Sequence, residues 1–137
     1  MLDVGNEAEL SLAEWQAVPS RAALPCSWAE YIGREAGDRI RADSRRRYAR
    51  APMCGIGVLS VGSIQHAVFT KDISRMGVGF YSPVNLFPRT LVELRLSGGR
   101  RLRLSVVRCR RLAQKCYEIG ALFELGVRRA SARRPGL

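Results

Sequence analysis

Two short stretches hold the side chains best suited to recognition chemistry. Arg46 and Arg50, within Ser44-Arg45-Arg46-Arg47-Tyr48-Ala49-Arg50, are four positions apart. That spacing puts both guanidinium groups on one side of either a helical turn or an extended chain. Asp72, Ser74 and Gly77 follow in Asp72-Ile73-Ser74-Arg75-Met76-Gly77, at the end of an apolar run. On an extended segment Asp72 and Ser74 share a face, Ile73 points into the core, and Gly77 permits a turn with positive φ. An arginine fork matches the O6 and N7 acceptors of guanine and pairs with phosphate, while a carboxylate accepts from the guanine N1 and N2 donors. The chemistry points to a ligand with guanine and phosphate. Each half alone is ordinary: an arginine run is commonly a solvated linker, and Asp-x-Ser with a later glycine a common turn.

The elements that must position these residues are mostly strands. From Pro52 the hydrophobic period becomes alternating, with turn residues every ten positions or so. Strands are expected near Met53 to Ser60, Ser63 to Thr70, Gly77 to Tyr81, Leu91 to Leu96, Arg101 to Arg110 and Cys116 to Leu125. Val92, Leu94 and Leu96 alternate with Glu93 and Arg95, Gly98-Gly99 makes a tight hairpin, and Leu102, Leu104 and Val106 alternate again. The slip at Val106-Val107 predicts a bulge that helps a small sheet close. One apolar face on six strands is best satisfied by an all-β, six-stranded antiparallel barrel, which leaves no exposed edges.

Ahead of the strands, Ser11-x-x-Glu14 and Ser27-x-x-Glu30 read as capping boxes opening two short helices. The first is expected to bury Leu12 and Trp15 and to stop by Pro19. The second carries Trp28, Ile32, Ala36 and Ile40 on one i,i+4 track, weakened by Gly33 and Gly37. Trp15 and Trp28 are read as anchors of these helices on the barrel.

The 137-residue chain has a net charge of +11, unevenly spread. Residues 1–43 hold eight acids against four arginines, a net of −4 that leaves +15 on residues 44–137. So basic a domain expects an anionic partner. The four cysteines (Cys26, Cys54, Cys109, Cys116) have no C-x-x-C spacing and with His66 make no plausible zinc set, so they are read as free thiols. His66 is expected to face the pore or the surface. The start of the sequence resembles no secretory leader and no stretch is apolar enough to span a bilayer, so a cytoplasmic protein without a membrane span is expected. One histidine and no arrangement of nucleophile, base and orienting group exclude catalysis.

Arg46-x-x-x-Arg50 followed by Asp72-x-Ser74-x-x-Gly77 resembles the signature of PilZ domains, bacterial receptors for the second messenger cyclic di-GMP. Gly77-Val78-Gly79-Phe80-Tyr81-Ser82-Pro83 and Tyr117-Glu118-Ile119-Gly120-Ala121-Leu122-Phe123 resemble later strands of that family. The resemblance implies a PilZ-type barrel over residues 44–126, with an N-terminal extension at 1–43 and a basic tail at 127–137. It implies no cofactor, and cyclic di-GMP as the ligand of Arg45, Arg46, Arg50, Asp72, Ser74 and Gly77. Arg41 and Arg45 also satisfy R-x-x-x-R, but Arg46 and Arg50 sit directly before the first strand, as in the family. Relatives with an arginine at the position of Arg45 tend to bind an intercalated ligand dimer. A bound receptor of this kind signals to a downstream protein that the sequence does not identify. The rival reading is a small basic barrel that binds RNA or single-stranded DNA; its strand aromatics are few, which makes a nucleic-acid partner the weaker expectation.

Overall fold

Alternating apolar side chains, short capped segments and glycine turns build the following elements in a computed structural model that describes residues 3–6, 9–37 and 50–124. In chain order they are β1 (Asp3–Asn6), α1 (Leu12–Ala17), α2 (Trp28–Gly37), β2 (Ala51–Val61), β3 (Ile64–Ile73), β4 (Gly77–Ser82), β5 (Leu91–Leu96), β6 (Arg100–Ala113) and β7 (Cys116–Phe123). Neighbouring strands run β6-β5-β2-β3-β4-β7, all antiparallel, and β7 pairs back onto β6. The sheet therefore closes into a six-stranded barrel. Every strand contributes to its interior, where Leu59, Val68, Phe80, Leu94, Leu104 and Ile119 are inaccessible or nearly so.

Two local predictions hold. Gly99 adopts φ 86° and donates its N–H to Leu96 O at 2.9 Å, closing the β5–β6 hairpin in a conformation that favours glycine. The β6–β7 register shifts between Val106 and Arg108, leaving Val106 buried and Val107 exposed, so the slip in alternation is a bulge. β1 was not expected from the sequence, since four residues are too few for a periodic signal. It pairs with the start of β6 (Asp3↔Leu102, Asn6↔Arg100), ahead of the point where the β6–β7 ladder begins at Leu104↔Phe123.

The segment after β1 covers the outer face of the barrel. Ser11 caps α1, with its Oγ accepting from Glu14 N at 3.1 Å, and α1 ends before Pro19 as expected. Trp15 is buried and donates its indole N–H to Val68 O at 3.1 Å; with Leu10 and Val18 it covers Val58 and Ala67. Leu12, in contrast, is 58% exposed. It lies at the first turn of α1, one turn before the residue that docks, and stays at the rim of the contact. After α1, Ala67 N donates to Ser20 O and Ala22 N to Ala67 O, so this stretch completes the edge of β3 beyond the end of β4. His66 is buried there rather than exposed, its Nδ1 sharing a 2.7 Å hydrogen bond with Ser20 Oγ.

On α2 the expected track is not the one that docks. Trp28 and Ile32 are 54% and 44% exposed, whereas Tyr31 is fully buried against Tyr81 and Cys116. The reason is polar as much as apolar. The Tyr31 hydroxyl donates to Thr70 O, lies 3.1 Å from Gly55 O and accepts from Gly55 N at 2.7 Å, meeting backbone groups where the β2–β3 register shifts. Burial pushes the Tyr31 phenol up to about 12. Trp28 keeps a share of the anchoring role through ring contacts with Tyr31 and Phe69.

Candidate functional site

β3 carries the acidic half of the site to the end of the barrel. The β2–β3 ladder shifts between Pro52 and Gly55 and the β3–β4 ladder between Thr70 and Asp72, so both strands beside the site are irregular at its level. Ile73 is half-buried against the barrel core, as expected, and Asp72 lies on the outer face, 9% exposed. Arg50, one residue before β2, crosses to it: Nη1 donates to Asp72 Oδ1 at 2.8 Å. Lys71 Nζ stands 3.8 Å from Asp72 Oδ2.

Ser74 ends the strand and shapes the turn. Its Oγ accepts from Met76 N at 3.1 Å and Gly77 N at 3.3 Å, and its own N–H donates to Gly77 O. Both lone pairs of the hydroxyl are thus engaged, which leaves its O–H as the group available to a ligand oxygen. Gly77 differs from expectation. The glycines with positive φ among the described residues are Gly62 and Gly99, whereas Gly77 begins β4. It is glycine because a Cβ there would overlap the Ala121 carbonyl oxygen of β7, so the requirement is close approach of two backbones. Arg45 and Arg46 lie outside the described residues, as do Arg41, Arg47 and Tyr48. Of the sequence-predicted set, the structure brings together Arg50 and Asp72, with Ser74 and Gly77 forming the adjoining turn.

Several charged neighbours were not singled out from the sequence. Glu118 of β7 accepts from Lys71 Nζ at 2.9 Å and Arg110 Nη2 at 3.0 Å. Burial alone raises its carboxyl, but the two cations outweigh that and hold it below the usual carboxylate range. These residues line a polar cavity of about 330 Å³ with Arg108. From α2, Arg34 Nη1 donates to the Tyr81 hydroxyl at 3.1 Å. Burial works against the Arg34 charge, but the Tyr81 oxygen and the nearby Asp72 carboxylate favour it, and its pKa is raised. The signal for this set is strand register, which places Tyr81, Glu118 and Arg110 in one row across β4, β7 and β6, and register is not written in a single sequence. A larger apolar groove, about 650 Å³ between α2 and β2 at Trp28, Ile32 and Ile56, holds none of the candidate residues.

A carboxylate beside an arginine fork, a turn hydroxyl with its proton to give, and flanking lysine and arginine side chains suit a ligand that combines hydrogen-bond donors with anionic oxygens. No helix among the described residues is long and apolar enough to cross a membrane. No curated protein matches the chain. The family model of the PilZ domain matches residues 44–134, from the arginine run through β7 and beyond. That span takes in well over half of the sequence, both motifs and all six barrel strands, and on it the chain belongs to the PilZ domain family.

Proposed function

We propose that the chain is a cyclic di-GMP receptor that changes conformation on binding and passes the change to a partner protein. The observation that carries this reading is the Arg50–Asp72 pair, a guanidinium and a carboxylate held 2.8 Å apart on the barrel wall in a PilZ domain. In this reading the guanine N1 and N2 donors replace Arg50 at Asp72. Arg50 is then released to the guanine Hoogsteen edge or a phosphate, beside Arg46. The Ser74 hydroxyl donates to a phosphate oxygen. The site residues are Arg45, Arg46, Arg50, Asp72, Ser74 and Gly77, and the ligand enters as an intercalated pair whose phosphates need the third cation, Arg45.

The route to a partner runs through α2. Its Tyr31 hydroxyl is fastened to Gly55 and Thr70, at the irregular level of β2 and β3 that also holds Asp72. Drawing the arginine segment onto the ligand pulls on β2 there and alters the seat of α2, whose Trp28 and Ile32 present an apolar face. The nucleic-acid alternative loses support because three of the strand aromatics, Phe80, Tyr81 and Phe123, are buried and unavailable for base stacking, although Phe87 and Trp28 are exposed.

Calorimetric titration of the full chain tests the reading. Cyclic di-GMP should bind, with a ratio near two that falls toward one in Arg45→Leu. Cyclic di-AMP should bind far more weakly, because adenine has an amino donor where guanine has O6. No heat with cyclic di-GMP, or equal affinity for the two dinucleotides, would overturn it.

A further inference from the structure

Four residues form one row across the outer wall of the barrel: Asp72 on β3 pairs with Gly79 on β4, Gly79 with Gly120 on β7, and Gly120 with Arg108 on β6. The row faces outward, since Val78, Phe80, Ile119 and Ala121 on either side of the two glycines point into the core. A Cβ at Gly79 would stand 2.5 Å from Asp72 Oδ1, and a Cβ at Gly120 would stand 3.1 Å from Arg108 Nε and 3.3 Å from its Cγ. Both end residues therefore lie down over the glycine of the adjacent strand, leaning toward each other. Three interstrand steps set their Cα atoms roughly 14 Å apart. Between them the row holds only Gly79 and Gly120, over which these two side chains lie.

The two ends differ in one respect. Asp72 is paired with Arg50, whereas the Arg108 side chain has no hydrogen bond or ion pair among the described residues. The neighbouring cations Lys71 and Arg110 both hold Glu118. The Arg108 stem and Nε lie over Gly120, beside the cavity this residue lines with Lys71, Arg110 and Glu118. A guanidinium plane stacks on a heterocyclic ring and carries the charge that favours an electron-rich one.

We infer that Arg108 is a further recognition residue of the Arg50–Asp72 site, its guanidinium plane stacking on the second purine of a cyclic dinucleotide whose first purine is held at Asp72. The inference rests on the cyclic di-GMP reading above and extends it across the barrel wall to β6. Gly79 and Gly120 then give Asp72 and Arg108 the room to lie along the wall, with the purine on the outer side of Arg108.

Titration of four variants with cyclic di-GMP tests this, using the full chain and thermal melting to confirm folding. Arg108→Ala should weaken binding roughly tenfold or more. Arg108→Lys keeps the charge without the plane and should stay close to the alanine variant. Gly120→Ala keeps the arginine but lifts it off the wall and should weaken binding roughly three- to tenfold. Arg110→Ala, which removes a cation from the same cavity, should stay within about twofold of the natural chain, as expected of an exposed charge already paired. If Arg50→Ala, titrated as a control, weakens binding roughly tenfold or more while Arg108→Ala leaves it unchanged, this inference fails and the receptor reading stands. Full rescue by Arg108→Lys, or an equal loss in Arg110→Ala, reduces Arg108 to general attraction and overturns the stacking role. A natural chain that takes up no cyclic di-GMP overturns both.

Discussion

Arg50 and Asp72, 22 positions apart in the chain, meet through a single 2.8 Å contact between Nη1 and Oδ1, each side chain mostly withdrawn from water. Among the described residues the rest of the Arg50 fork has no other partner, so it can turn toward a ligand.

Arg50→Ala is expected to lose a guanine or phosphate contact of about 1 to 3 kcal/mol, roughly ten- to a hundredfold in affinity for cyclic di-GMP. Asp72 keeps Lys71 within 3.8 Å, so the melting temperature should fall only by a few degrees. Natural affinity in this variant rules out Arg50 as a ligand residue. Arg41→Ala should be nearly silent, and if it were the crippling change the clamp would be the other arginine pair.

Gly77→Ala should be a folding variant rather than a binding variant. The added methyl overlaps the Ala121 carbonyl, and β4 and β7 must part at a central ladder of the barrel. A loss of more than about 3 kcal/mol is expected, as for overpacking that the backbone cannot relieve. A circular dichroism melt within a few degrees of the natural chain contradicts the close-approach explanation.

Tyr31→Phe separates the hydroxyl of α2 from its ring. The ring contacts with Trp28 and Phe69 survive, but the Gly55 N–H loses its acceptor. A buried donor without a partner costs about 1 to 3 kcal/mol, and the melting temperature should drop by roughly 3 to 10 °C. An unchanged melt means the ring alone seats the helix.

His66 offers a pH test with one reporter, because the chain has one histidine. Burial lowers its pKa below the usual 6.5, so the fold favours the neutral ring. Stability from this preference is complete above 6.5 and is lost as pH falls through the folded value. The imidazole proton resonance should titrate with a midpoint below 6.5, and melting temperature should decline over the same acidic window. In His66→Gln that decline should flatten. A midpoint at or above 6.5 contradicts the buried neutral histidine.

Much of the barrel was legible because alternation is a local property: Val92, Leu94, Leu102 and Leu104 announce their faces within a few residues, and the Val106-Val107 slip announces the bulge. The placement of Asp72 and Ser74 at the end of β3 was legible for the same reason, since they fall at the end of an apolar run. What was not legible depends on distant partners. Tyr31 rather than Trp28 or Ile32 docks α2 because backbone groups of Gly55 and Thr70 receive its hydroxyl, and those groups exist only once β2 and β3 have paired out of step. The requirement at Gly77 comes likewise from Ala121 on another strand, and the row from Asp72 to Arg108 from three registers at once.

The cover over the outer wall also has a kinetic consequence. Trp15 finds its acceptor 53 residues downstream and Tyr31 finds Thr70 39 residues downstream, so both leave the ribosome well before the strands they protect. A six-residue helix does not persist by itself in water. Until β2 and β3 have zipped together, these rings have nowhere to go, and the cover is the last layer to settle. By the same reasoning it is the first to lift: opening α1 and α2 breaks few strand ladders, and amide exchange in residues 12–37 should report the cheapest excursion of the native state.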